Sequence, residues 1–208
     1  MGDRLRRLWD FNDLEATHAR LLAQLEEEPD DSGHAEVLTQ LARVQGLRDE
    51  FASGEKLLLE AERLAGESAA ARIRIDLERG RLLRSGGDSG AALPLFERAY
   101  ESSLPAGEEF LAADAAHMAA LAAPDRAGKL TWTRRGIEIA EKTDDRDVAY
   151  WLGPLFNNLG VEYAESGDQK AALDAFERAL ESRLRYPENA EAIQWARESV
   201  EEARKALG

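Results

Sequence analysis

The chain has 208 residues, 44% hydrophobic and 33% charged, an ordinary soluble balance with room for one domain or a short array. It contains no Cys, which excludes disulfides and thiolate metal sites, and no apolar run approaches the ~20 residues needed to span a bilayer. A formal net charge of −14 weighs against general affinity for nucleic acid and favours a cationic or neutral partner.

The start, MGDRLRRLWDF, has basic residues but no apolar h-region, so it does not read as a secretory signal, and the expectation is a cytoplasmic protein. Richness in Ala, Arg, Glu and Leu suits a bacterium with a GC-rich genome. Leu5, Leu8, Trp9 and Phe11 form a short apolar leading segment. Asp10, Asn12 or Asp13 can cap the helix that follows. That helix is expected from about Asp13 to Glu28, with Leu14, Leu21, Leu22 and Leu25 on its buried side. Pro29-Asp30-Asp31-Ser32-Gly33 breaks the pattern.

From His34 to Ala65, Leu38, Leu41, Ala42 and Gln45 step by 3, 1 and 3, and Gly54, Leu58 and Ala61 step by 4 and 3. The turn between these runs falls near Arg48-Asp49-Glu50. From Ser68 to Leu104 the pattern returns, with Gly80, Leu83, Gly87-Asp88 and Ala91-Ala92-Leu93. Asp76 and Arg79 take the first two apolar positions, and Pro94 sits inside the second helix. Gly107 to Lys142 is less regular. Its first helix, about Glu108 to Ala122, is mostly alanine; Pro124 is expected to open the second, where Thr133, Ile137 and Ala140 recover the spacings 4 and 3.

Phe156 to Arg183 is the clearest pair. Phe156, Leu159, Gly160 and Tyr163 precede the break Ser166-Gly167-Asp168, and Ala172, Phe176 and Ala179 follow it. Phe96-Glu97-Arg98-Ala99 repeats Phe176-Glu177-Arg178-Ala179 letter for letter, at an offset of 80 that holds throughout the segment. Small residues mark where two helices cross, and the aromatic rings fill the space beside the crossing. After Pro187, Ile193, Ala196, Val200, Ala203 and Leu207 step by 3 and 4 along one face of a last helix.

This order of residues resembles the tetratricopeptide repeat, W-x2-L-G-x2-Y, then A-x3-F, then Pro. Phe156 stands for the Trp, and the closing Pro comes late, at Pro187. The units are near 40 residues, longer than the family's usual ~34. The resemblance implies an all-α, right-handed α-solenoid of about four helical hairpins. The repeats fall at approximately 34–66, 68–104, 107–143 and 147–185, in a single domain with capping helices over 1–28 and 187–207.

No chemistry of another kind stands out. His18, His34 and His117 are far apart and lack metal-ligand spacing, and the glycine-rich stretch from Ser85 to Gly90 has neither the Lys-Ser/Thr nor the preceding strand of a phosphate loop. No catalytic residue, metal or cofactor is implied, and neither nucleic acid nor membrane is expected as a partner.

In tetratricopeptide arrays the first helix of each pair lines the inner groove. Carried over position by position, this implies Glu36, Thr39, Gln40 and Arg43 in the first unit and Arg74, Leu77, Glu78, Arg81, Arg84 and Ser85 in the second. The third contributes Asp114 and His117, and the fourth Pro154, Asn157, Asn158 and Val161. Arg74, Arg81 and Arg84 lie at i, i+7 and i+10 on one face, where guanidiniums suit carboxylates. Either they make the groove basic, or Glu78 and carboxylates from outside neutralise them. Asn158 holds the position at which peptide-binding members bond a peptide main chain. The Lys and Asn that complete a carboxylate clamp are not visible in the preceding unit.

Trp132, Tyr150 and Trp151 are candidates for an aromatic pocket or for core, and Trp195 for exposure on the last helix. The preferred expectation is a non-enzymatic module that binds a peptide or helical segment of a partner protein in the groove. The partner-binding residues are then Arg43, Arg74, Glu78, Arg81, Arg84, Asp114, His117, Asn157 and Asn158. One alternative is a sensor of small molecules or signalling peptides, with a pocket of Asp114, His117 and Trp132. Another is an assembly subunit, a homo-oligomer formed through the terminal helices.

Overall fold

The computed structural model describes residues 3–207, and positions 1 and 2 of the expected leading cap lie outside the described residues. The described chain is all-α. A 3-10 turn at Arg6–Leu8 precedes α1 (Leu14–Glu27), α2 (Asp31–Leu47), α3 (Phe51–Leu64), α4 (Ala69–Ser85), α5 (Ser89–Ala106) and α6 (Glu109–Ala122). Then come α7 (Arg126–Glu141), the four-residue α8 (Arg146–Ala149), α9 (Leu152–Glu165), α10 (Gln169–Arg183) and α11 (Ala190–Ala206). Among the described residues, no helix is long and apolar enough to cross a membrane.

Side-chain caps start most of these helices. Asp13, Asp30, Ser68, Asp88, Asp125 and Asp168 each accept a hydrogen bond from the backbone N–H three residues on, which satisfies a donor the helix cannot. Three of the pairs turn in the same way. Glu50, Asp88 and Asp168 donate their N–H groups to the carbonyls of Gln45, Leu83 and Tyr163, five residues back. That geometry needs a left-handed residue, supplied by Gly87 (φ 94°), Gly167 (φ 83°) and, in the first pair, Asp49 (φ 61°). The third pair is linked differently. Ala123 is extended ahead of Pro124, and Asp125 then caps α7, so Pro124 lies in the link and does not open the helix.

Helices pair as α2/α3, α4/α5, α6/α7 and α9/α10, and α11 packs on α10. At the crossings of the second and fourth pairs, a Cβ placed on Gly80 or Gly160 would sit 2.5 Å from the ring of Phe96 or Phe176. In the third pair, Gly136 of α7 lies against Ala116 of α6 and Leu155 of α9. α2, α4, α6 and α9 touch in succession and form one layer; α3, α5, α7 and α10 lie behind it, each packing on the helix that follows. A large apolar cluster runs from Ile73 of α4 to Phe156 of α9, and a second joins Leu5, Leu21, Leu38, Leu41 and Ala65 at the leading end. On α1, Leu21 is buried as expected, but Leu22 is exposed; Thr17 takes its place inside, its hydroxyl bonded to the carbonyl of Asp10.

Candidate interaction face

The layer α2/α4/α6/α9 collects the polar groups that sequence spacing assigned to one surface, but part of that surface is already occupied. The leading segment folds back across it. Asp3 accepts a two-pronged pair of hydrogen bonds from Arg74 on α4, at 2.7 and 3.1 Å, and Arg74 also donates through Nε to Glu36 on α2 at 3.1 Å. Leu5 drops into the apolar cluster at the leading end and is 1% exposed. Arg6 lies 3.8 Å above the ring of Tyr150, just beyond α8, and donates to the carbonyl of Asp147 at 3.2 Å. Trp9 donates through Nε1 to Gln40 on α2 at 2.9 Å, and the Arg43 guanidinium sits 4.9 Å from its ring. Residues 3–9 thus touch α2, α4 and α8 in turn.

Burial alone would raise the Asp3 carboxyl and lower the Arg74 guanidinium. Their mutual attraction outweighs it, so Asp3 is held below the usual carboxylate range and Arg74 is raised.

Deeper in the layer a second group forms around Arg81. It donates to Glu78 at 2.6 Å and to Asp114 on α6. Glu78 is 2% exposed, and its second oxygen has no hydrogen-bond partner. Burial raises its carboxyl against the pull of Arg81 and Arg43. Arg81 is raised despite burial by Asp114 and Glu78, while Arg43 is lowered by burial and by the Arg81 charge. Further along, the Asn158 amide donates to Nδ1 of His117 at 3.1 Å, which places the proton of the neutral ring on Nε2. His117 stacks on Trp151, with centroids 5.3 Å apart. Burial pulls its pKa down to about 4, opposed by Asp114 and assisted by Arg81, Arg84 and Arg43.

This shift fixes a sign. The folded ring stays neutral until about pH 4, whereas the unfolded chain protonates near 6.5. Stability from His117 is complete above the unfolded value and is lost as pH falls toward the folded one, at about 1.4 kcal/mol per pH unit. Urea unfolding at pH 7 and pH 5 is therefore expected to show wild type losing about 2 kcal/mol more than His117→Gln over that interval. Equal losses in the two proteins would mean that the ring is freely protonated in the folded state. Glu78 acts oppositely, but it is present in both proteins and cancels.

Of the remaining expected residues, Arg84 donates to the carbonyl of Leu121 at 3.5 Å, and Asn157 is half-buried. Of the residues expected to share a pocket with Asp114, His117 and Trp132 pack against different rings. Trp132 lies edge-on against Tyr100 of α5 with Arg135 over its ring; the aromatic beside His117 is Trp151, which itself contacts Phe110 and Tyr150. Trp195 is 59% exposed on α11. Sequence spacing missed Asp3, Arg6 and Trp9. The signal available was a segment, LRRLWDF, with apolar and basic residues too short to make a helix of its own before the Asp13 cap.

No family model and no curated protein matches the chain. Among solved structures it is similar to BtubC (BKLC) from P. vanneervenii, with a TM-score of 0.65 over 99% of this chain and 91% of that one. At 19% identity, the likeness is one of fold.

Proposed function

We propose that the protein is a non-enzymatic interaction module of the tetratricopeptide type. On this reading the helix pairs form an α-solenoid whose α2/α4/α6/α9 layer is the inner wall, and that wall binds a linear segment of a partner protein. The observation that carries it is the seating of residues 3–9 on this layer: side chains from α2, α4 and the α8 region already hold a stretch of polypeptide through ion pairs, a ring contact and an indole hydrogen bond. The succession of helix contacts and the glycine–phenylalanine crossings support the architecture. Asn158, hydrogen-bonded to His117, continues the same wall beyond the part that residues 3–9 cover.

A peptide-display selection against the immobilised full chain tests this. Enriched linear peptides are expected to lose at least tenfold in affinity to the Asn158→Ala or Arg43→Ala protein. A selection with no enriched sequence, or peptides indifferent to both substitutions, would overturn it.

A further inference from the structure

Resting on that reading, we infer that the face recognises in trans a partner segment with the chemistry of the chain's own residues 3–9. The pattern is an acidic side chain, an aliphatic one two positions on, an arginine directly after it and a tryptophan three further, and the chain's own segment competes with that partner for the face. Each position has a built receptor. Arg74 is 5% exposed and presents its fork to Asp3; without a carboxylate there, a buried cation would keep only Glu36, and a basic residue would meet like charge. Leu5 fills a seat among Leu21, Leu38 and Leu41. The third receptor, for arginine, has one wall of Tyr150 and one oxygen-rich edge from Asp147, whose carboxylate lies 3.4 Å from Arg6 Nε. The fourth offers Gln40 Oε1 to an indole N–H and the Arg43 cation to its ring.

These receptors lie on α1, α2, α4 and the α8 region, outside the segment they hold. The occupant is tethered through residues 10–13 to α1. A short tether gives an effective concentration of about millimolar, so an outside segment must be tighter, or the tethered one loosened, before exchange occurs.

The probe is a fluorescein-labelled peptide of residues 3–12, DRLRRLWDFN, followed by fluorescence anisotropy. It is added to the full wild-type chain and to the full chain carrying Asp3→Ala and Trp9→Ala, which weaken the resident segment at two of its four receptors. The released chain is expected to bind the peptide at least tenfold more tightly than wild type, and adding Arg74→Glu is expected to abolish that binding. A peptide with Lys at the Asp3 position is expected not to bind. Equal binding by wild-type and released chains, or binding that survives Arg74→Glu, overturns the inference. Far-ultraviolet circular dichroism checks the helical fold. Should the double variant not fold, Asp3→Asn, which keeps the shape of the segment but removes its ion pair with Arg74, replaces it, and tighter binding of the peptide than by wild type is again expected, with equal binding overturning the inference. If display-selected peptides bind the face while the 3–12 peptide does not, the interaction-module reading stands and this inference falls; if neither binds, both fall.

Discussion

Arg81→Met is expected to lower the unfolding free energy by about 3–5 kcal/mol, because it strands two buried carboxylates, Glu78 and Asp114, without their cation. The side chain of Arg81 is 11% exposed, and those of Glu78 and Asp114 are 2% and 4% exposed, so water does little to compensate. Methionine keeps most of the volume of the stem, which makes the loss electrostatic. Urea denaturation at pH 7, followed by helical circular dichroism, measures it. Adding Glu78→Gln and Asp114→Asn removes the stranded charges and is expected to recover more than half of the loss. A single-variant loss below about 1 kcal/mol would place this group in the class of solvated surface pairs and rule out a buried charge cluster that depends on Arg81.

Phe96→Ala is expected to cost about 3–5 kcal/mol, the range for deleting a fully buried ring. Phe96 is 0% exposed, lies against Gly80 and belongs to the large cluster that continues through α6 and α7 to α9. Neighbours on both sides hold the cavity open. Phe176 makes the same contact with Gly160 in the fourth pair, but it belongs to a smaller cluster that ends on α11. Phe176→Ala is therefore expected to fall at the low end of that range. Equal or reversed losses in denaturant titrations of the two variants would show that the interior position of the second pair confers no added support.

The helix pairs were legible because their determinants are local. Gly80 with Phe96 and Gly160 with Phe176 sit sixteen residues apart in both copies, and Gly87 and Gly167 mark the turns between them. The α4 face was legible for the same reason: Arg74, Arg81 and Arg84 share one side of a helix. What spacing could not reveal is which carboxylates answer them. Asp3 is 71 residues from Arg74, and Asp114 is 33 from Arg81, so both pairings depend on how separate helices are brought together. Between the two alternatives left open by the sequence, the structure has Arg74 and Arg81 met by the chain's own carboxylates. Trp132 and Trp151 were alike in sequence, both candidates for core or for an aromatic pocket. Only packing separates them, one against Tyr100 and the other against His117.

The path of residues 3–9 also alters how the molecule comes apart. In a row of helix pairs that touch only their neighbours, an outer pair can fray while the rest stays folded, and melting unzips from the tips. Here Asp3 is fastened to the second pair and Arg6 to the residues just ahead of the fourth, so one short segment bridges helices far apart in the chain. Loosening the helices between α2 and α8 strains that bridge, and this part of the chain is thereby biased toward coming apart in one cooperative step.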